Sequence, residues 1–162
     1  MSGHPFYAGL ASMPWPGTVA GDLWHAADLV REHRGDTHTA AYNAMGFSAL
    51  EMMLMTELWW GLPHGRYLSS RHWDAEPIAA ELQRLRGNGL VDGEPPALTG
   101  AGVKVRVEVE DLTDRGEARV LDVLSDAERD KLFAILKPMA ETIVAGGGYP
   151  ADPNERELPG VG

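Results

Sequence analysis

Apolar positions in this chain recur mostly at helical spacing. Leu23, Ala26, Ala27 and Val30 make one apolar face and predict a helix from Asp22 to Arg34, with Gly35 as its stop. A short helix is expected next, with Asp36 as its N-cap and its end near Met45. Ser48 followed three residues later by Glu51 is a capping box. The helix it opens, Leu50 to Trp60, is apolar nearly all round and ends at Gly61, which marks it as the buried centre of the domain. Pro63 to Ser70 reads as another short helix. Asp74 then caps a helix carrying Ile78, Leu82 and Leu85, which Gly87 and Gly89 close. Leu90-Val91 and Ala97-Leu98 read as two very short strands about an Asp92-Gly93 turn. Ser125 and Glu128 form a second capping box ahead of an amphipathic helix through Leu132, Ile135, Leu136, Met139 and Ile143, where Pro138 is a candidate kink. One segment breaks the pattern: Val103, Val105, Val107 and Val109 alternate with Lys104, Arg106, Glu108 and Glu110, and on propensity alone this is a strand.

These elements divide the chain into an extended arm over residues 1–21, rich in glycine and proline, a helical domain over 22–145, and a loose glycine- and proline-rich tail over 146–162. A length of 162 residues with 44% hydrophobic composition suits one domain with a real core. A formal charge of −10 repels phosphate backbones over the molecule as a whole. With no cysteine there is no disulfide framework, thiolate zinc site or cysteine nucleophile. No stretch has the length of a membrane span and no secretory leader is visible, so a cytoplasmic protein is expected.

The order of helices, the run Arg84-Leu85-Arg86-Gly87-Asn88-Gly89-Leu90-Val91-Asp92-Gly93, the tiny hairpin and the Leu98-Thr99-Gly100-Ala101-Gly102 start of a long helix resemble the MarR-type winged helix. More narrowly, LWHAADLVREHRGDTH (residues 23–38), Met13-Pro14-Trp15-Pro16, Thr113-Asp114 and Gly148-Tyr149-Pro150 are similar to the C-terminal half of an actinobacterial family labelled only as helix-turn-helix proteins. The resemblance implies a mainly α, MarR-like winged helix-turn-helix with long terminal helices that make a homodimer. It also implies a helix at 100–118, which is followed here against the strand propensity.

Candidate chemistry concentrates between His25 and His38, where Asp28, Arg31, Glu32, His33, Arg34 and Asp36 also lie. The plain interpretation is the solvated face of an amphipathic helix, with Asp36 merely a cap. In the sharper one, carboxylates orient imidazoles for general acid–base work, with His25, His33, Asp36 and His38 as the catalytic set. A metal site on His25, His33 and His38, completed by Glu51, is a third option, but the spacings match no metal motif and none is predicted. Trp24, Trp15, Met55, Trp59 and Arg31 are candidate walls for a small, largely apolar ligand, although Trp59, Met55 and their neighbours suit a core better. No Gly-rich strand–loop–helix fingerprint occurs, and no cofactor is predicted.

DNA readout would use residues 74–87, with Arg66, Arg71, Arg84 and Arg86 as its cations. Against it stand Asp74, Glu76 and Glu81 on that helix and a wing with two acids and no base. The sequence alone therefore favours a winged-helix scaffold that binds, and through the His25–His38 cluster transforms, a small molecule. A ligand-responsive regulator that binds DNA is the alternative.

Overall fold

The computed structural model describes residues 3–147. Its order is α1 (Pro5–Ala11), α2 (Val19–Ala44), α3 (Ala49–Trp59), α4 (Arg66–Ser69), α5 (Ala75–Gly87), β1 (Val91–Asp92), β2 (Ala97–Leu98), α6 (Gly100–Leu121) and α7 (Asp126–Ala145). The chain is mainly helical, and α3, α4, α5 and the antiparallel β1–β2 hairpin form a winged helix-turn-helix, with Val91 opposite Leu98 in the wing.

Helix starts follow the capping chemistry of the sequence at α3, α6 and α7, whereas Asp74, expected to cap α5, stands at its N-cap position without a side-chain cap hydrogen bond. Ser48 and Ser125 both form complete capping boxes, with Glu51 and Glu128 reaching back to the N-cap backbone. Thr99 accepts from the Gly102 amide at the start of α6. The apolar helix α3 lies at the centre as expected: Leu50, Leu54 and Met55 join Leu68, Ile78, Leu82, Leu85 and Val91 in the main core. Burying each such side chain contributes about 1.5–3 kcal/mol. A second, smaller core of Ala41, Tyr42, Met52 and Val109 joins α2, α3 and α6.

Glu57, on the last turn of α3, is fully buried, and its carboxylate accepts from the amides of Gly65 (2.5 Å), Tyr67 (2.7 Å) and Leu68 (3.3 Å). It thereby satisfies the open amides at the start of α4 and fixes the turn of the motif. Thr99 donates to the Gly89 carbonyl at 2.7 Å, and a Cβ on Gly102 would lie 2.2 Å from the Leu90 carbonyl oxygen. The wing is therefore held directly against α6.

The structure corrects three expectations and, at residues 103–110, follows the helix implied by the resemblance rather than the strand propensity. Gly35 does not stop a helix and Asp36 is not an N-cap, because α2 runs unbroken through both; packing against α1 and α6 outweighs the glycine's weak propensity. The Val103–Glu110 alternation lies in α6 rather than in a strand, in line with the helix implied by the resemblance. Residues 5–11, expected as part of an extended arm, form α1 with proline at its first position. The helix expected over Pro63–Ser70 is confined to Arg66–Ser69. The tail expected over 146–162 falls outside the described residues from Gly148 onward.

Candidate functional site

Of the titratable residues in the LWHAADLVREHRGDTH run, His33, Arg34, Asp36 and His38 face two neighbours, α1 and α6. α2 and α6 are antiparallel, since His33 meets Glu117 while His38 meets Thr113. Their approach is close: a Cβ on Gly116 would lie 2.4 Å from Thr37 Cγ2. That contact admits only a glycine.

His33 Nδ1 donates to Glu117 Oε2 at 2.6 Å, so the carboxylate orients the ring and selects the Nδ1–H tautomer of the neutral imidazole. Glu117 is buried, and its second oxygen, Oε1, has no hydrogen-bond partner among the described residues. The His4 ring stacks on His33 with centroids 4.1 Å apart and planes 11° from parallel, and Tyr7 meets His33 edge-on at 5.5 Å. Thr37 spends its hydroxyl proton on the His33 carbonyl, so His4 Nε2 is the donor in its 3.2 Å contact with Thr37 Oγ1. Asp36 is buried, and its Oδ2 accepts from the Tyr7 amide at 2.9 Å. α1 has no side-chain cap of its own, and Asp36 supplies one from α2.

One turn on, Thr113 donates to the Val109 carbonyl, so it accepts from His38 Nδ1 at 3.1 Å. Burial pushes the His38 pKa below its ordinary value; Glu110 opposes that shift, and Arg106 and Arg34 reinforce it. Those three charges form a chain of their own. Arg34 binds Asp114 at 2.8 Å and Glu110 at 3.0 Å, and Glu110 binds the buried Arg106 at 2.6 Å. Arg106 also reaches Met52 Sδ at 3.6 Å and lies 5.9 Å from the centre of the Trp59 ring, which links α6 to α3.

His33 thus lies between α1 and α6, Asp36 against α1 and His38 against α6, each with its own partners, and His25 is remote from His33. It lies about 12 Å away along the same helix, buried against the edge of Trp15 at 4.8 Å, with Nε2 unpartnered among the described residues. The five candidate ligand walls are dispersed. Trp15 and Trp24 are exposed, Met55 is in the main core, Trp59 covers Arg106, and Arg31 extends into solvent beside Asp28 and Glu32. Among the described residues no three His, Asp or Glu side chains converge in a way that would hold a metal ion, and no helix is long and apolar enough to cross a membrane.

The second candidate surface is the outer side of the winged helix. α5 buries Ile78, Leu82 and Leu85, and leaves Glu76, Ala79, Ala80, Gln83, Gly87 and Asn88 exposed. Arg84 is bound by Glu81 at 2.6 Å and by the buried Glu51 at 2.8 Å. Arg86 donates to the Gly93 carbonyl at 2.7 Å and to Glu94 at 2.5 Å, and so clips the wing to the helix. Arg71, exposed after α4, meets Tyr67 and pairs with no carboxylate among the described residues. Arg66 opens α4.

Glu117, Thr113, Glu110, His4, Tyr7 and Thr37 were not anticipated as partners of the histidines. The signal for part of this set lies in the spacing of Arg106, Glu110, Thr113 and Glu117, which share one face only once residues 100–121 are helical.

A family model described as a helix-turn-helix family matches residues 1–150 of the chain. Hemicentin-2 of Mus musculus is 28% identical to it over 91 residues, which cover 49% of this chain and 2% of that protein. No solved structure matches it.

Proposed function

The chain belongs to this helix-turn-helix family, and on that premise we propose that it is a ligand-responsive, MarR-like transcription regulator that binds DNA through residues 74–87. The observation that carries the proposal is the outer face of α5: a helix anchored by three buried side chains presents Ala79, Ala80, Gln83, Gly87 and Asn88 to solvent beside a wing that Arg86 ties to it. Small side chains let such a helix sit deep in a major groove, and glutamine pairs with an adenine edge. Arg71 is placed for a backbone phosphate. In this reading the protein is a cytoplasmic homodimer kin to actinobacterial helix-turn-helix chains. α7 supports the dimer, because it buries no residue while exposing Leu132, Phe133, Ile135, Met139, Ile143 and Val144.

Fluorescence anisotropy with mixed genomic DNA fragments, at about 50 mM and about 200 mM salt, tests the proposal. With roughly two to three phosphate contacts per chain, log affinity should fall with log salt at a slope of about −2 to −3 per chain, and some fragments should retain binding at the higher salt. No binding at low salt would overturn it.

A second reading rests on the 2.6 Å His33–Glu117 contact and its unpartnered Glu117 oxygen. A carboxylate-oriented imidazole is the arrangement of a general base, so the same fold would bind a small, largely apolar molecule and act on it. Under this reading His33→Ala and His38→Ala abolish ligand affinity or activity in a folded protein, while Arg71→Ala and Arg86→Ala leave both intact. Under the first reading the arginine variants lose DNA affinity.

A further inference from the structure

The two arginines of α5 are held differently, and the difference assigns them different work. Arg84 is shared between Glu81 and Glu51, and Glu51 is nearly fully buried at the start of α3. Pulling Arg84 away would leave a buried carboxylate without its counter-charge, which is far more costly than losing a surface pair. Arg84 is therefore a tie between α5 and α3. Arg86, whose own side chain is 24% exposed, is paired instead with the 80% exposed Glu94 and also donates to the Gly93 carbonyl. A pair with one well-solvated partner is weaker than one that would leave a buried charge behind, and Glu94 is fully hydrated on release.

We infer that Glu94 is an internal phosphate mimic: it occupies the guanidinium of Arg86 at the tip of the wing, and a DNA phosphate must displace it for Arg86 to bind. This inference rests on the DNA reading. A carboxylate and a phosphate oxygen are alike as acceptors for a guanidinium, so the two compete directly for the Arg86 Nη2 that now donates to Glu94. The wing carries Asp92 and Glu94 and no cation, so the displaced carboxylate would also face the phosphate with like charge. Position 94 thereby sets affinity without contacting a base.

The experiment is anisotropy with one mixed-sequence duplex at several salt concentrations, comparing wild type, Glu94→Gln, Arg86→Ala and the double variant. Glu94→Gln should bind about threefold to tenfold more tightly than wild type at each salt concentration, because no carboxylate then has to be displaced from Arg86. The gain should vanish when Arg86 is alanine. Wild-type binding that ignores position 94 overturns this inference and leaves the DNA reading standing. A gain of the same size in the Arg86→Ala background also overturns it, because removal of any nearby negative charge would then explain the effect. Absence of binding by wild type and by Glu94→Gln alike overturns the DNA reading and this inference together.

Discussion

His38 and two glycines show how single residues are set by what they touch. Burial lowers the His38 pKa, so between its native value and the ordinary value near 6.5 the unfolded chain binds a proton that the native chain refuses. The stabilising contribution is therefore complete above about pH 6.5 and is lost as pH falls through the lowered native value. In urea unfolding, wild type should lose more stability between neutral and mildly acidic pH than His38→Gln does; equal losses would contradict the assignment. Gly35 and Gly116 predict opposite signs. A Cβ at Gly35 meets nothing closer than a Glu32 oxygen at 3.8 Å, so Gly35→Ala should stabilise by about 0.5–1 kcal/mol through helix propensity. A Cβ at Gly116 would strike Thr37 Cγ2 at 2.4 Å, so Gly116→Ala should destabilise by about 1–3 kcal/mol through overpacking. Denaturant midpoints measure both. At this scale the sequence located the histidines but not their partners, since the 84-residue separation of His33 and Glu117 leaves no local signal.

Elements were legible where their ends carry chemistry. Ser48-Glu51 and Ser125-Glu128 announced α3 and α7, and the all-apolar composition of α3 announced its central place. Local preference misleads where tertiary packing overrides it. Gly35 looks like a stop, yet α2 is contacted on either side of it by α1 and α6. The valines of residues 103–109 alternate like a strand, but in α6 the residues that are buried are Gly102, Arg106, Val109, Thr113 and Glu117, a spacing of three and four, and Val103 and Val107 reach the surface. β-branched residues have only a small helix penalty, and packing against α2 outweighs it. The buried Glu57 gave no sequence signal, because an acid within an apolar helix is indistinguishable from a surface residue until the turn folds back onto it.

For the whole molecule, the exposed apolar length of α7 and the distribution of charge make the testable claims. A helix of 20 residues that buries nothing is marginal in water on its own. Pairing with a second copy gives it a partner. Sedimentation should therefore give a dimer mass, and Phe133→Glu with Ile135→Glu should shift it towards monomer; a wild-type monomer at tens of micromolar would contradict this. The net charge of −10 argued against nucleic acid, while the fold places an exposed helix beside a wing and keeps Arg71 clear of carboxylates among the described residues. Which of these governs is decided by comparing DNA affinity at about 50 mM salt for wild type, the Arg71→Ala/Arg86→Ala double variant and His33→Ala. A regulator reading DNA through this face should lose about tenfold or more affinity in the arginine variant and keep wild-type affinity when His33 is removed. Arginine-independent binding, or none in any of the three, would contradict the account.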